Sequence, residues 1–359
     1  MRRGKNMAKV GILTFHSALN FGAVLQAYAL QKYLEKCGHD VDIINYIPER
    51  IKRAYTRNPF KAQSDPVNIV KYGIKSLLTA KQYRLFKGFR SNYLKLTKKI
   101  DSKDELFILS DKYDTIICGS DQIWDLSRTQ NDDAYFLAKI QPKVRKVSYA
   151  ASFGGGNITD VLVKYINEYL SDFYKVSVRE DHGLAILNKT SRIQARKTID
   201  PVFLLDREQW DEVSGKAKIS DRKYILYYAL EKNRDLKEAA LNLASRENIP
   251  IYSIHPTGNK PEFKTKHLFN IGPIEFLSLV RNAEYICSNS FHCAAFGIIY
   301  GKKVVPALHS KTGQRMKSLL KMVNIVELND VIDMRAVNYD LIFRMKNESA
   351  DYLYNSLKQ

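Results

Sequence analysis

Cysteine is scarce in this sequence, and the few cysteines present are not spaced for a metal site or a disulfide framework. The 359 residues include four of them, Cys37, Cys118, Cys287 and Cys293. No two form a C-x-x-C pair, and each lies in or beside an apolar element, as reduced thiols of a protein core do. The sequence therefore predicts neither a disulfide nor a zinc site, and we expect no metal in the functional site.

Long apolar runs are also missing. The longest, 223–230 and 293–300, fall well short of the roughly 18–20 residues that a membrane-spanning helix needs. The segment Met1–Asn6 lacks the apolar core of a signal peptide. Hydrophobic residues make up 45% of the chain, which is enough for a sizeable core. The sequence thus predicts a cytoplasmic protein, and its length predicts two domains.

Acidic residues are outnumbered, with 38 Asp and Glu against 57 Lys and Arg, for a net charge of +19. Between residues 50 and 100 there are fourteen Lys or Arg and one acid, Asp65. Such an excess is typical of proteins that bind nucleic acid, anionic membranes or polyanionic substrates. The usual nucleic-acid motifs are absent, so we expect no nucleic acid partner. Aromatic residues at helical spacing predict a basic helical insertion at about 50–103, either solvated or docked peripherally on the inner face of an anionic membrane.

Strand-like and helix-like segments alternate along the rest of the chain. The β-rich run Lys9–Phe15, the helical pattern Ala23–Cys37 and the apolar run Val41–Tyr46 form one βαβ unit. The alternation resumes after the insertion and restarts at Lys223. This pattern predicts an α/β protein with two Rossmann-like, doubly wound domains that face each other across a cleft. The predicted boundaries are 7–213 for the first domain, 223–330 for the second and 331–359 for a helical tail that packs back on the first.

The segment Tyr285–Gly297 places a histidine where a short buried strand gives way to a helix. Ser288 or Ser290 can cap that helix, which puts His292 in its first turn. The helix macrodipole and the unpaired N–H groups there favour an anion, and open α/β sheets bind ligands at the carboxyl ends of their strands. The spacing alone fits a packed histidine as well as a catalytic one.

Two further strand ends carry polar loops. The loop after the first strand lacks G-x-G-x-x-G, so a dinucleotide site is disfavoured, although its amides could hold an anion. The loop after the strand Tyr113–Cys118 combines hydrogen-bonding side chains with an indole, a combination that suits a sugar; the alternative is a capped turn with the indole in the core. The candidate residues of the two loops are Asn20, Gly22, Gln26, Gly119, Ser120, Asp121, Gln122 and Trp124.

Two arginines complete the candidates, and one acid is interpreted as structural. Arg179 follows the strand Lys175–Val178, where its guanidinium could hold a carboxylate or phosphate, or form a surface ion pair with Glu180 or Asp181. Arg315 opens a helix after the next strand beyond His292, and it could face the same cleft or solvent. Asp200 precedes a proline, which is typical of a turn.

Taken together and in order, these segments resemble the polysaccharide pyruvyl transferase family. The resemblance runs from Val10 to Leu320, and its pieces are GILTFHSALNFGAVLQAYAL, YDTIICGSDQIWD, SVRE, DPVFLL, ICSNSFHCAAFGIIYGKKV and GQRMKSLL. The SFHG-type histidine of the family corresponds to His292, its strand-end arginine to Arg179 and the arginine of its NSRI-like helix start to Arg315. Cys293 stands where the family has glycine, which would alter how closely a donor approaches the backbone.

The resemblance implies a fold like that of the two-domain, B-type glycosyltransferases. It also implies a transferase that moves the pyruvyl group of phosphoenolpyruvate onto sugar hydroxyls as a ketal, in capsule or exopolysaccharide synthesis and without a further cofactor. His292 would be the general acid and base, Arg179, Arg315 and Ser290 would hold the donor, and the acceptor sugar would be lipid-linked or nucleotide-linked. Two alternatives stay open: a nucleotide-sugar-dependent glycosyltransferase on the same fold, and a non-catalytic protein that binds polyanions or glycans.

Overall fold

Two mostly parallel sheets form the centres of two α/β units. A computed structural model of the chain describes residues 7–49, 76–77, 79–155, 158–215, 219–220, 222–256, 259–325 and 331–358. In the first unit the elements are β1 (Lys9–Leu13), α1 (Phe21–Lys36), β2 (Asp40–Ile43), α2 (Ala80–Tyr93), α3 (Lys103–Ser110), β3 (Thr115–Cys118), α4 (Leu126–Thr129), β4 (Arg145–Ser148), α5 (Asp160–Tyr169), β5 (Val176–Val178), α6 (Asp181–Thr190), β6 (Ala195–Lys197) and α7 (Arg207–Ser214). In the remainder they are β7 (Ile225–Tyr228), α8 (Arg234–Glu247), β8 (Ile251–Ser253), β9 (Lys266–His267), α9 (Pro273–Asn282), β10 (Tyr285–Ser288), α10 (Phe291–Ile299), β11 (Lys303–Pro306), α11 (Gly313–Lys321), β12 (Ile332–Asp333) and α12 (Asp340–Leu357).

The first unit is wound outward in both directions from β1. Its sheet has the order β2-β1-β3-β4, with all pairings parallel. The parallel pair β5-β6 continues this sheet, because the Ser148 amide at the end of β4 donates to Lys175 O at 3.1 Å and Val147 forms a parallel bridge with Lys175. The order changes direction between β1 and β3, and such a point is where open α/β sheets form their ligand crevice.

The second unit repeats this arrangement around β7. Its sheet has the order β12-β11-β10-β7-β8-β9, and only the β11–β12 pair is antiparallel. The direction changes between β7 and β10, so the carboxyl end of β10 lies at the second switch point. The predicted pair of Rossmann-like units is therefore confirmed.

The strands are short and buried, and their helices begin and end at recognisable signals. In β3 and β10 all four residues are buried, which explains why they form near-continuous apolar runs rather than alternating ones. Asn20 caps α1 by accepting the amide of Ala23 at 3.2 Å. At the other end Gly38, with a φ of 92°, ends the helix in a conformation that glycine adopts without strain. The predicted first strand was two residues too long, because β1 ends at Leu13.

The final helix, α12, crosses from the second unit back to the first. The Tyr352 hydroxyl donates to Ser148 O at 2.8 Å, and the amide of Ile199 donates to Ser349 Oγ at 2.9 Å. Arg145 Nη1 donates to Ser356 O at 3.1 Å. These contacts hold the end of the chain against β4 and the segment after β6.

Part of the basic insertion can be described. Residues 50–75 lie outside the described residues, but α2 lies between the two units rather than in solvent. Its Phe86 and Phe89 are buried, and Gln82 Nε2 donates to Ile271 O of the second unit at 3.1 Å. On the other side Arg90 donates to Ser17 O of the loop after β1 at 2.5 Å. The aromatic face of α2 is thus covered by protein rather than by solvent or a membrane, while Lys81, Arg84 and Lys87 on the same helix are exposed, as predicted for a solvated basic helix. Membrane docking of the insertion stays a prediction.

The two units share one core at the start of α1. Phe21 is fully buried and stacks on Phe276 of α9 with ring centroids 4.6 Å apart, and it also contacts Phe86 at 5.2 Å and Tyr228 at 5.8 Å. The first residue of α1 thus packs directly against the second unit. Among the described helices, none combines the length and the apolar character needed to cross a membrane.

Removing the Phe21 ring tests how far the two units depend on this contact. We expect Phe21→Ala to lower the free energy of unfolding by about 3–5 kcal/mol, because it leaves a cavity in a shared aromatic core. Urea unfolding measures the loss. The matched control is Phe343→Ala on α12, where the ring is 62% exposed and the change should stay within about 0.5 kcal/mol. Equal effects of the two substitutions would contradict this account.

Candidate active site

The candidate residues meet where the carboxyl ends of strands from both units converge. Arg179 follows β5, Asp200 follows β6, and Ser120 lies in the loop after β3. From the second unit, His292 begins α10 directly after β10, and Arg315 lies in the first turn of α11 after β11. All five are at most 7% exposed. These positions agree with the prediction that the ends of strands from both units face one cleft.

His292 contacts the start of α1 across the boundary between the units. A Cβ placed on Gly22 would lie 2.0 Å from His292 Nδ1, so only glycine fits at this position of α1. On its other edge, His292 Nε2 lies 3.5 Å from Asp200 Oδ2 and makes no hydrogen bond. The imidazole is therefore held between a glycine of one helix and a buried carboxylate.

Arg179 is held by two buried carboxylates. Its Nε donates to Glu180 Oε1 and its Nη1 to Asp200 Oδ2, each at 2.7 Å. Burial by itself would lower the pKa of Arg179, but the charges of Glu180 and Asp200 outweigh it and leave that pKa raised. The sequence offered a surface pair with Glu180 or an anion-binding role; the structure instead shows an enclosed pair that leaves one nitrogen, Nη2, unpartnered.

Asp200 connects the arginine to the histidine. Burial alone would raise the pKa of its carboxyl, but the charge and proximity of His292, followed by Arg179, lower it well below the usual range. Asp200 Oδ1 also accepts the amide of Val202 at 3.1 Å, so it caps the turn that its proline predicts. Sequence reasoning assigned only that turn. The Asp-Pro segment was one of the family-like pieces, and that was the available signal for a further role.

Arg315 is a buried cation, and among the described residues no carboxylate forms an ion pair with it. Its Nη2 donates to Thr312 Oγ1 at 3.1 Å, while its Nε has no partner. Burial, and next the nearby charge of Arg179, lower the pKa of Arg315 to about 10. The two guanidinium groups flank one ring, that of Phe291, with centroid distances of 4.5 Å for Arg179 and 5.9 Å for Arg315.

Four buried nitrogens, three in this cluster and one in the loop after β3, lack hydrogen-bond partners among the described residues. They are Arg179 Nη2, Arg315 Nε, His292 Nε2 and Gln122 Nε2. Buried polar atoms are nearly always satisfied, so a cluster of unsatisfied ones calls for an explanation. Because three of the four belong to groups that carry or can carry positive charge, a small anion with several acceptor oxygens would satisfy them together.

The profile of one protein family covers most of this chain. The profile of the polysaccharide pyruvyl transferases matches residues 20–310, which include every residue of the cluster described above except Arg315. The chain belongs to the polysaccharide pyruvyl transferase family. The resemblance of the ordered segments is thereby confirmed, while no curated protein matches the sequence significantly.

Solved structures with a similar course of the chain are only distantly related to this pyruvyl transferase family member. UDP-GlcNAc 2-epimerase from Methanocaldococcus jannaschii, in complex with UDP-GlcNAc and UDP, is 14% identical over 96% of this chain and 99% of that chain, with a TM-score of 0.48. The Neisseria meningitidis UDP-GlcNAc 2-epimerase bound to UDP-GlcNAc is 13% identical over 97% and 100%, with a TM-score of 0.47. E. coli ADP-heptose lps heptosyltransferase II is 10% identical over 96% of this chain and 99% of that chain, with a TM-score of 0.39.

In this family member, the loops after β1 and β3 are bonded to each other. Gln26 Nε2 donates to Thr14 Oγ1 at 3.0 Å, and Thr14 Oγ1 donates to Ser120 O at 2.8 Å. Ser120 Oγ donates to Ala150 O at 3.0 Å and lies 3.5 Å from Asp200 Oδ2. Gln26 and Asn20 thus support the loops through bonds within the protein, whereas Gly22 is the residue of α1 that contacts His292.

Trp124 does not present a face to a sugar. Its indole is fully buried, donates from Nε1 to Tyr135 O at 3.1 Å and stacks on Phe136 at 5.4 Å. The prediction of a sugar-binding indole is wrong, because the turn after β3 directs this side chain into the core of the first unit. Of its neighbours, Asp121 approaches the cluster closely enough to act on the pKa of both arginines, and Gln122 Nε2 has no hydrogen-bond partner among the described residues.

Two residues of the α10 start differ from expectation. Ser290 is the N-cap residue by position, but its side chain makes no capping bond, and its amide instead donates to Ser288 Oγ at 3.0 Å. Cys293 is fully buried in the core, where burial raises the pKa of its thiol to about 12. The cysteine therefore packs inward at the position of the family glycine, while His292 beside it contacts Gly22.

Replacing Asp200 tests the buried pair. We expect Asp200→Asn to lower the free energy of unfolding at neutral pH by about 3 kcal/mol or more, because Arg179 loses a buried counterion. The folded-state pKa of Asp200 lies below the unfolded value of about 3.9, so its contribution is complete above that pH and is lost as the pH falls further.

Urea unfolding between about pH 7 and pH 3 measures the difference in the free energy of unfolding between wild type and Asp200→Asn. This difference should begin to shrink below about pH 4. Asp351→Asn, an exposed acid on α12, is the control and should leave stability nearly unchanged. A gap that stays constant over this range would disprove the assignment of the depressed pKa to Asp200.

Proposed function

We propose that this protein transfers the pyruvyl group of phosphoenolpyruvate to two hydroxyls of a sugar, forming a ketal and releasing phosphate. The observation that carries the proposal is the enclosed cation Arg315, which pairs with no carboxylate in the described part of the chain and has an unpartnered Nε. It lies near Arg179, whose Nη2 is also unpartnered. A buried charge without a counterion is costly, and an anionic donor would supply that counterion. Membership of the pyruvyl transferase family supports the same donor.

Phosphoenolpyruvate has two anionic groups on adjacent positions of a small molecule. Two guanidinium groups that flank one phenyl ring could bind a carboxylate and a phosphate, since each presents a fork of N–H donors. Gln122 Nε2 would offer a further donor. These residues would offset the charge of the donor during the reaction.

The reaction delivers one proton to the methylene carbon of the donor and removes one proton from each of the two reacting sugar hydroxyls. Protonation of the donor's methylene carbon makes the adjacent carbon an oxocarbenium centre, and one sugar hydroxyl attacks it as its proton is lost. Attack by the second hydroxyl then breaks the bond to phosphate, and the leaving phosphate can accept the second hydroxyl proton. The products are the ketal and inorganic phosphate, so atoms and charge balance without an external oxidant or reductant.

His292 is the proposed proton-transfer group. Its Nε2 has no hydrogen-bond partner, so this atom is available to give and accept a proton. Asp200, 3.5 Å away, would stabilise the protonated imidazole during each transfer. Asp200 acts here as a positioning residue, because it is also bonded to Arg179 and Val202.

The acceptor we propose is a sugar on a lipid or nucleotide carrier, as used in capsule or exopolysaccharide synthesis. Loop residues from both units border the cluster, so a sugar could enter between them. We propose no cofactor beyond the donor itself.

Donor binding and turnover can be tested separately. Calorimetric titration with phosphoenolpyruvate should show that Arg315→Gln weakens binding about tenfold or more, because a buried charged contact is lost. His292→Gln should retain binding but abolish phosphate release and the gain of a pyruvyl group, measured with nucleotide-linked and lipid-linked sugars. His39→Gln, far from the cluster and bonded to the amide of Ala8, is the control for the histidine change.

Two results would contradict the proposal. One is tight binding of a nucleotide sugar, with glycosyl transfer, by a protein that does not bind phosphoenolpyruvate; this would identify a glycosyltransferase on the same fold. The other is phosphate release that is unaffected in His292→Gln, which would remove His292 from proton transfer.

A single methyl group on α1 should disturb the histidine. Gly22→Ala would place a carbon 2.0 Å from His292 Nδ1, so the imidazole must move. We expect turnover to fall about a hundredfold while phosphoenolpyruvate affinity changes little, since misplacing a proton-transfer group affects the chemical step. Gly88→Ala is the control, because nothing lies within 4 Å of a Cβ there. Unchanged turnover in Gly22→Ala would show that the observed packing is not required.

A further inference from the structure

A cavity lies between the two units at the start of α11. Its volume is about 680 Å3, and it is bounded by Gly155 and His182 of the first unit and by the loop 308–311 and the start of α11 in the second. We call it the basic cleft. Gly313 and Lys317 of its wall lie on α11, the helix that also carries Arg315, and the charge of Arg315 acts on the pKa of His309 in the cleft.

Every titratable side chain that lines the basic cleft is basic. The four are His182, His309, Lys311 and Lys317. The two lysines are exposed, and among the described residues neither forms an ion pair with a carboxylate. An anion in the cleft would therefore meet available ammonium groups without first having to displace an acidic side chain.

The loop that carries Lys311 is held in place by both units. Glu231 accepts the Ser310 amide at 2.5 Å and the Ser310 hydroxyl at 2.7 Å. His309 Nδ1 accepts the Lys311 amide at 3.2 Å, which places the imidazole proton on Nε2, 3.7 Å from Glu231. On the opposite side, a Cβ on Gly155 would lie 1.6 Å from Lys311 O. The cleft is thus a preformed feature, which lowers the entropic cost of binding.

The charge around the cleft extends into the protein. Burial lowers the pKa of His309; the nearby Glu231 raises it in part, and Arg315, Arg128 and Lys311 lower it further. Three cations, Arg315, Arg128 and Lys311, thus lie close enough to act on His309 at the edge of the cleft.

We propose that the basic cleft binds the phosphate or diphosphate group through which the acceptor sugar is attached to its carrier. This inference rests on the pyruvyl transfer proposed above, and it assigns the acceptor's charged group to Lys311, Lys317, His309 and His182. A neutral sugar would gain little from such a lining, whereas a diphosphate gains charge-assisted hydrogen bonds from the lysines. The sugar itself would then lie toward Arg315 and His292.

Binding to the full-length protein tests the proposal. Calorimetry in the presence of phosphoenolpyruvate compares a nucleotide carrier, UDP-glucose, with a lipid carrier, geranyl diphosphate. Lactose is the neutral probe, and inorganic phosphate is the free anion. We expect one or both diphosphates to bind more tightly than lactose. The double change Lys311→Gln with Lys317→Gln should weaken that binding about tenfold or more and leave phosphoenolpyruvate affinity within about twofold.

The matched control removes the same charge elsewhere. Lys237→Gln with Lys260→Gln alters two lysines of another cavity in the second unit, of about 410 Å3, and should not change diphosphate binding. The proposal is overturned if neither diphosphate binds better than lactose, if the Lys311 and Lys317 changes have no effect, or if the control pair weakens binding equally. Inorganic phosphate that binds as tightly as the diphosphates and displaces them would assign the cleft to the released product instead. Failure to bind phosphoenolpyruvate would reject the proposed function, whereas failure to bind diphosphates alone would reject only this inference.

Discussion

The candidate site depends on one buried ion pair, that between Arg179 and Asp200. Each side chain offsets the cost of burying the charge of the other, because removing an isolated ion from water is costly, and Glu180 adds a second counterion for Arg179. Their 2.7 Å contact brings the ends of β5 and β6 together, and the same carboxylate lies 3.5 Å from His292 of the second unit. A pair formed within one unit thereby positions the proton-transfer group supplied by the other.

A second constraint keeps the two units at this separation. The start of α1 enters the second unit, where Phe21 stacks on Phe276 and Gly22 leaves room only for the ring of His292. Close packing of this kind tolerates little displacement. The aromatic contact and the glycine contact lie on adjacent residues, so the interaction that holds the units together also sets the position of the histidine.

Much of the fold was predictable, because alternating apolar runs and helical patterns reflect local periodicity. Capping by Asn20 and the strand end at Cys118 follow from residues close in the chain. Contacts between distant segments were not predictable in this way. Trp124 is an example, since an indole after a strand can face a ligand or the core, and only the packing of Phe136 and Tyr135 against it decides between them. The helix α2 is another, as its aromatic face could have met solvent, a membrane or, as observed, the second unit.

The sequence by itself determined the α/β class, the positions of the strand ends and the residue types able to bind an anion. These follow from short-range patterns and from a set of segments in a specific order. It left open whether His292 and Arg315 were packed, exposed or functional. Tertiary structure decided that both are buried beside Arg179 and Asp200, with nitrogens that no protein group satisfies. The reason is physical: burial and the absence of a partner are properties of a three-dimensional neighbourhood, and those neighbours come from strand ends far apart in the chain.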